Sequence, residues 1–398
     1  MGFLPKYNEL DKQQSEFLKN FLEESGHEQI KGFPGSGKTV LLIYAVQKIR
    51  KLNPNSRIIF IEFTHSLIKM LNAALADLVY EGKDTNPIHV VTYYDFEENY
   101  AEPGRWDFII CDEVQDIPTK YLFLMKNSAH RVVIGGDANQ SIYKTDPKCH
   151  LPTCTPEEIT RVLNPNNISL NIIHRIGKHV ANAVNAVLPG MNILSGRPSM
   201  MKNNMQLRIW KAIDPQQEVK LILDHAKEAI EYNNKSVGVL LSVHDKILLF
   251  IKLALKEFKC EEWNVVYTRY GGPDYDDFNR YAKQHNIPIQ VVARGSGDFL
   301  KQKLITITTY HSSKGLDFDF VFMPFCDSAE NQVENDATLI MVAMTRCRGD
   351  LYITYSQSLN SILAKIDQKD FNFKDWSLSL FSKEEESKVD NTKDMFGF

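Results

Sequence analysis

The chain has 398 residues, of which 43% are hydrophobic and 24% charged, and its net charge is −4. This balance is ordinary for a globular protein of two or three domains. It excludes a protein coated in basic surface, so any nucleic acid would have to be bound in a local groove.

Targeting and redox signals are weak. No apolar run reaches the ~18 residues that a membrane span needs, and residues 1–9 lack the apolar segment of a signal peptide. We therefore expect a cytoplasmic protein without membrane contact. The six cysteines form no disulfide framework, which suits a reducing compartment. Cys149, His150 and Cys154 could be zinc ligands, but no second ligand pair follows, which favours a loop with incidental thiols.

The first part of the chain alternates between helices and short apolar strands. Apolar residues between Leu10 and Leu22 repeat at helical spacing and predict an amphipathic helix. The strands predicted after it are Glu28–Lys31, Arg57–Phe63, His89–Tyr93, Phe108–Asp112 and Arg131–Gly135, and the helices are Val40–Arg50 and Ser66–Val79. Near-continuous apolar strands separated by helices predict a parallel sheet that helices cover on both faces. We assign this α/β domain to residues 1–150.

The alternation resumes after a stretch rich in proline, Pro147 to Pro165, which we interpret as the connection between domains. We assign the second α/β domain to residues 165–360 and a partly disordered tail to residues 361–398. The strands predicted in the second domain are Ile168–Ile173, Gln206–Trp210, Val237–Ser242, Trp263–Thr268, Ile289–Ala293, Leu304–Tyr310, Phe320–Phe325 and Leu351–Tyr355. Two long helices are predicted at Pro215–Tyr232 and Asp245–Phe258.

The segment between the first strand and its helix carries the clearest chemical signal. It reads Gly-Phe-Pro-Gly-Ser-Gly-Lys-Thr and fits G-x-x-x-x-G-K-[ST] at every fixed position. Its backbone N–H groups and the helix N-terminus would cradle phosphates, while Lys38 would reach the β- and γ-phosphates of ATP and Thr39 would hold Mg²⁺. The alternative is an ordinary glycine turn. The predicted nucleotide-binding residues of this loop are Gly32, Pro34, Gly35, Ser36, Gly37, Lys38 and Thr39.

Carboxylates follow the predicted strand Phe108–Asp112. The carboxyl ends of parallel strands face the ligand crevice of an open sheet. Asp112 would therefore coordinate Mg²⁺, and Glu113 would orient and deprotonate the attacking water. The alternative is an acidic turn after a buried strand.

Several motifs together resemble one family. Asp-Glu-Val-Gln-Asp at 112–116 and Gly-Asp-Ala-Asn-Gln-Ser-Ile-Tyr at 136–143 are similar to motifs of the superfamily 1 helicases of the UvrD/Rep/PcrA type. Thr-Tyr-His-Ser-Ser-Lys-Gly-Leu-Asp-Phe at 309–318 and Val-Ala-Met-Thr-Arg at 342–346 resemble two more. The match covers about residues 8–357 and implies two RecA-like P-loop NTPase domains, with parallel sheets flanked by helices.

The resemblance assigns further residues to ATP. Gln14 stands at the position that reads adenine, and His174 replaces a tyrosine that stacks on it. Gln140 would sense the γ-phosphate. Arg175 and Arg346, both assigned to the second domain, would act as arginine fingers because guanidinium groups bind phosphate bidentately. Two other residues at nucleotide-binding motif positions are Gly315 and Asp317.

The resemblance also implies contacts with single-stranded DNA. Aromatic side chains stack on any base, so this binding would tolerate different sequences. The residues at the corresponding positions are Phe63, Thr64, Thr92, Tyr93, Tyr143, Thr309 and His311.

The chain departs from the family in three places. Few residues separate Thr92 from Asp112, and no large insertion precedes Thr309, whereas full-size members carry subdomains at both points. Lys144-Thr145-Asp146 stands where the family has a base-stacking tryptophan. The resemblance implies an ATP-dependent DNA translocase or helicase with 3′-to-5′ polarity. The departures favour an alternative, a nucleotide-gated subunit that switches a nuclease or other effector protein in a bacterial DNA-processing or phage-defence complex.

Overall fold

The computed structural model divides into two compact units. One comprises residues 1–175 and 190–199, and the other comprises residues 176–189 and 200–398. The residues that the structure describes are 4–23, 25–63, 65–80, 87–137, 141, 145–146, 148–199, 205–293, 296–297, 303–328 and 332–376.

The first unit is built on a six-stranded sheet whose strands all run parallel, in the order β3-β2-β4-β5-β1-β6. Its strands are β1 (Glu28–Gly32), β2 (Ile58–Glu62), β3 (His89–Thr92), β4 (Trp106–Cys111), β5 (Ala129–Gly136) and β6 (Asn166–Leu170). Its helices are α1 (Lys12–Asn20), α2 (Lys38–Leu52), α3 (His65–Leu75), α4 (Tyr93–Asn99), α5 (Thr119–Ser128) and α6 (Pro156–Leu163). A short parallel pair, β7 (Ile172–Ile173) and β8 (Arg197–Pro198), follows.

Both faces of this sheet are apolar. Successive side chains of a strand point to opposite faces, so a strand that is apolar throughout contributes to both. In β2, Ile58 and Phe60 pack with residues of α1, α2 and α3, whereas Ile59 and Ile61 pack with residues of α4, α5 and α6. This burial on two sides explains why the strands read as continuous apolar runs.

The second unit has a seven-stranded sheet, also parallel throughout, in the order β11-β12-β10-β13-β14-β9-β15. Its strands are β9 (Leu207–Lys211), β10 (Val237–Leu241), β11 (Ile289–Val291), β12 (Ile305–Thr309), β13 (Phe318–Met323), β14 (Cys347–Tyr355) and β15 (Asn372–Asp375). Its helices are α7 (Lys178–Val187), α8 (Pro215–Glu231), α9 (His244–Glu257), α10 (Tyr275–Gln284) and α11 (Ala337–Met344). None of the described helices has the length and apolar character that crossing a bilayer requires. Both parallel α/β sheets were predicted from the sequence.

The end of the first unit differs from the prediction. The proline-rich stretch was predicted to link two domains, but it contains α6. This helix buries Ile159, Val162 and Leu163 against the sheet of the first unit. Strand β6, predicted to open the second sheet, pairs with β1 in the first sheet from Asn166 to Leu170. The first of the two segments that make up this unit consequently ends at Arg175 and not near residue 150.

Two other predictions differ at the level of single elements. Residues 263–268 form no strand, because their ladder pairing is limited to one isolated bridge between Tyr267 and Pro273. The predicted tail contributes β15, which pairs with β9 at the edge of the second sheet. The rest of that tail, residues 377–398, lies outside the described residues.

Candidate functional site

The phosphate-loop sequence forms the turn between β1 and α2. Gly35 and Gly37 have φ angles of 75° and 91°, in the left-handed region that favours glycine. A Cβ atom on Gly35 would lie 2.3 Å from the Cβ of Arg175, and one on Gly37 would lie 2.5 Å from Nε2 of Gln14. The two glycines therefore allow both the curl of the loop and the close approach of its neighbours.

Lys38, the first residue of α2, is only 7% exposed. Its Nζ donates to the carbonyl oxygens of Gly32 at 2.8 Å and Phe33 at 3.3 Å. Burial lowers the pKa of Lys38, while the nearby carboxylates, chiefly Glu113, act in the opposite direction. The loop thus holds an ammonium group against its own backbone, beside negative charge.

Thr39 and Asp112 meet directly, although 73 residues separate them in the chain. The Thr39 hydroxyl donates to Oδ2 of Asp112 at 2.5 Å. Burial and the adjacent Glu113 carboxylate raise the pKa of Asp112 to about 6. A hydroxyl and a carboxylate on neighbouring element ends are oxygen donors of the kind that Mg²⁺ prefers, so this pair fits a magnesium ion.

Glu113 has a φ angle of 50°, which is rare for a residue with a side chain, and it is 8% exposed. Its Oε2 accepts a hydrogen bond from Nε2 of Gln115. The Oε1 atom of Gln115 accepts from the backbone N–H of Asp137 at 3.0 Å. Gln115 therefore joins the carboxylate after β4 to the loop after β5. A carboxylate held this way beside Asp112 could accept a proton from water.

Gln115 was not among the residues predicted for the site. It is buried, with 3% of its surface exposed, and a Cβ on Gly136 would lie 2.4 Å from its Oε1. The signal was present in the sequence, since Gln115 lies within the Asp-Glu-Val-Gln-Asp segment. Its role becomes visible only when the ends of β4 and β5 are placed side by side.

The residues predicted for the adenine side lie together in the first unit. Gln14 donates from Nε2 to the carbonyl of Ser36 at 3.0 Å and forms a capping box with Asp11 at the start of α1. Nε2 of His174 lies 2.7 Å from Oδ2 of Asp11, and its backbone N–H donates to the carbonyl of Gly35 at 2.8 Å. Both side chains are thus anchored to the phosphate loop or to the helix beside it.

The strand-contact residues predicted in the first unit differ in accessibility. The rings of Phe63 and Tyr93 stack with centroids 5.4 Å apart. Tyr93 is only 2% exposed, and the Thr92 hydroxyl caps α4 by accepting the N–H of Asp95. Thr92 and Tyr93 are therefore buried, whereas Phe63 is half-buried. Three predicted residues, Thr64, Gln140 and Tyr143, lie outside the described residues.

In the second unit the predicted residues follow β12. The Thr309 hydroxyl accepts the N–H of Ser312 at 3.1 Å and is buried, while His311 is half-buried, and burial lowers the pKa of its imidazole. Gly315 has a φ angle of 80°, and Oδ1 of Asp317 lies 3.8 Å from Nε of Arg348. These positions form a tight turn between β12 and β13.

The two predicted arginine fingers do not belong to the same unit. Arg175 belongs to the first unit and lies beside Gly35, contrary to its assignment to the second domain. Arg346 follows α11 in the second unit and is 3% exposed. Its guanidinium donates to the carbonyl of Val342 at 2.9 Å and to the hydroxyl of Thr345 at 3.1 Å. The two arginines are therefore held by different local structures.

Two family models match parts of the chain. The model of an AAA domain matches residues 18–146, and the model of the UvrD-like helicase C-terminal domain matches residues 279–358. A probable DNA helicase II homolog of Rickettsia conorii is 35% identical over an alignment of 66 residues, and the match covers 14% of this chain and 10% of that protein. The DNA helicase II of Rickettsia typhi gives the same identity and the same coverage. The matched segment thus spans a small part of these relatives' length.

Solved helicase structures are also similar to this chain. Arterivirus nonstructural protein 10, a helicase in complex with DNA, has 16% identity and a TM-score of 0.44, and the match covers 89% of this chain and 65% of that one. The helicase of PRRSV has 13% identity and a TM-score of 0.44, with 86% of this chain and 54% of that one covered.

Proposed function

We propose that the chain is a superfamily 1 ATP-dependent translocase of the UvrD/Rep type, which acts on single-stranded DNA and moves in the 3′-to-5′ direction. The matches to the models of an AAA domain and of the UvrD-like helicase C-terminal domain support this proposal. The observation that carries the proposal is the buried cluster of a loop lysine, a threonine–aspartate pair and a glutamate held by Gln115. These groups are the ones that phosphoryl transfer to water needs, in the positions where a parallel sheet binds its ligand.

The described residues support a division of labour during hydrolysis. The loop backbone and Lys38 bind the phosphates and offset their negative charge. Thr39 and Asp112 would hold Mg²⁺, which would neutralise charge on the phosphate oxygens. Glu113 accepts a proton from water as the water oxygen bonds to the γ-phosphorus, and the bond to the leaving ADP oxygen breaks. Gln115 keeps the Glu113 carboxylate in one orientation.

The arginines and Gln140 complete the proposed machinery. Negative charge spreads over the transferring phosphoryl group, and guanidinium groups stabilise it. Arg175 is already next to the phosphate loop through Gly35. Arg346 is proposed as the second arginine on the strength of its place in the Val-Ala-Met-Thr-Arg motif.

Direction can be measured on single strands that carry a fluorophore at one end. A protein moving 3′ to 5′ reaches a 5′ label after a delay that lengthens with the strand, whereas a 3′ label changes without such a delay. The Glu113→Gln variant is the control, because it should bind ATP and DNA without moving. A length-dependent delay at the 3′ label would reverse the proposed direction, and no dependence at either end would contradict translocation.

A second function, the nucleotide-gated switch of an effector protein, is favoured by the size of the first unit. The residues between Thr92 and Trp106 form α4 and a short connection, with no inserted subdomain. In the switch, single-stranded DNA would stimulate ATP hydrolysis without translocation or unwinding. The same labelled strands, together with a tailed duplex, separate the two functions.

A further inference from the structure

Asp146 lies at the centre of a buried network in the first unit. It is 0% exposed, and its carboxylate accepts hydrogen bonds from the hydroxyls of Tyr93 and Tyr94. The backbone N–H groups of Lys148 and Cys149 also donate to it, at 2.9 and 2.8 Å. Burial alone would raise the pKa of Asp146, but these hydrogen bonds lower it to about 2. The side chain is therefore an anion that ties Lys148 and Cys149 to α4.

A continuous row of contacts leads from this network to Phe63. The Phe63 ring stacks on Tyr93, and the centroid of Tyr93 lies 4.0 Å from that of Tyr94. The ammonium of Lys148 lies 4.0 Å from the centroid of Tyr94. The row begins after β2, continues at the end of β3 and is completed by the loop after β5, so it follows the carboxyl edge of the sheet.

Lys148 differs from a neighbouring lysine, Lys120, in that its ammonium makes no salt bridge with a described residue. Lys120 lies 4.6 Å from the centroid of Tyr121 but is also ion-paired with Glu97 at 2.8 Å. Among the described residues, no carboxylate pairs with the exposed ammonium of Lys148. A lysine that is held by an aromatic face and makes no salt bridge can bind a phosphate at little cost in side-chain order.

We propose that Lys148 binds a backbone phosphate of single-stranded nucleic acid beside Phe63, and that Asp146 is the positioning residue that holds Lys148 there. The inference rests on the proposed function. The contact would substitute for the base-stacking tryptophan of the UvrD/Rep/PcrA-type helicases, which this chain lacks at residues 144–146. A cation takes the place of a stacking ring, so the contact reads the backbone and not the base.

The direct test is the affinity of the full chain for fluorescent oligothymidylate over a series of salt concentrations. Lys148→Ala should weaken binding at low salt and make the log–log salt slope shallower by about 0.7, the loss expected for one phosphate contact on a single strand. Lys120→Ala removes a lysine over a ring in the same cluster and should leave the slope unchanged. Neither substitution should change ATP hydrolysis in the absence of nucleic acid.

A double-mutant cycle tests the role of Asp146. Asp146→Asn should weaken binding in the wild-type background and have no further effect on affinity in the Lys148→Ala background, because it acts through Lys148. Equal effects in both backgrounds would show that Asp146 only maintains the fold. Thermal unfolding of each variant checks that the first unit stays intact.

The outcomes separate this inference from the proposed function. If the wild-type chain binds the oligonucleotide but Lys148→Ala binds it equally well with the same salt slope, the contact is wrong and the proposed function stands. If the wild-type chain binds no single strand at low salt, both are wrong.

Discussion

Among single residues, Gln115 shows how one amide can organise the proposed hydrolytic site. It donates to Glu113 and accepts from the backbone of Asp137, so the positions after β4 and β5 are linked. The sequence predicted Lys38 and Glu113 because motif and strand position specify them. It did not predict Gln115, because a hydrogen bond between two loops depends on strand order, which the local sequence does not contain.

Gln115→Ala should lower the rate of ATP hydrolysis by about 10²-fold, the usual effect of a misplaced reacting group. Nucleotide affinity should change little, because Gln115 does not belong to the phosphate loop. Single-turnover hydrolysis and nucleotide binding, measured together, check this. Gln13→Ala is the control, since that amide bonds to the backbone of Asn171 outside the site. If Gln115→Ala lost nucleotide affinity but hydrolysed ATP at an unchanged rate, Gln115 would instead support the structure of the nucleotide-binding site.

Glu218 in α8 gives a pH-dependent prediction for the second unit. It is fully buried and accepts hydrogen bonds from Phe325 and Thr354, and burial raises its pKa from 4.5 to about 7. The folded chain therefore holds this proton more tightly than the unfolded chain. The contribution of this group to stability should fall by on the order of 3 kcal/mol as the pH rises from below 4.5 to above about 7.

Glu218→Gln removes that titration and keeps the shape of the side chain. Its melting temperature relative to the wild type should therefore rise between pH 5 and pH 8. Glu231→Gln, at the exposed end of the same helix, serves as the control. A difference from the wild type that is constant over this range would contradict a buried carboxyl that titrates near neutrality.

At the scale of elements, the connection from β1 to α2 depends on Gly35. The segment was predicted because the pattern of glycine, lysine and threonine is local, and the structure adds the approach of Arg175 to it. The end of the first unit was not predicted correctly, because the apolar residues between Ile168 and Ile173 do not specify which sheet they join. β6 is an edge strand in which only Leu170 is fully buried. β6 pairs with β1, which is distant in the sequence, and the pattern of apolar residues does not determine which strand a segment pairs with.

Gly35→Ala should weaken nucleotide binding, because the new Cβ would strain a left-handed residue and displace Arg175. Gly104→Ala is a matched control, since Gly104 also has a positive φ angle, 65°, but has no atom within 4 Å of the added Cβ. The strain costs about 1–2 kcal/mol of stability in each variant. Binding of a fluorescent ATP analogue should fall for Gly35→Ala alone. If both variants lost nucleotide affinity equally, backbone strain and not the contact with Arg175 would be the cause.

At the scale of the whole molecule, both units consist of a parallel sheet with helices, and most of their strands were predicted from apolar runs. Residues 263–268 were mistaken for a strand because Val265 and Val266 have high β-propensity, yet both are exposed and have no ladder partner. The second unit also extends into the predicted tail through β15. Of the two arginines in the motifs, Arg175 belongs to the first unit and Arg346 to the second.

In the proposed function, nucleic acid controls ATP hydrolysis by the cluster around Glu113. The most direct measurement is the steady-state ATPase rate of the full chain at low salt, with and without single-stranded DNA, for the wild type and for Glu113→Gln. We expect the wild-type rate to rise with single-stranded DNA, and we expect the variant to bind ATP but to hydrolyse it in neither condition. A wild-type rate that no nucleic acid changes, or turnover by Glu113→Gln at the wild-type rate, would contradict the proposed function.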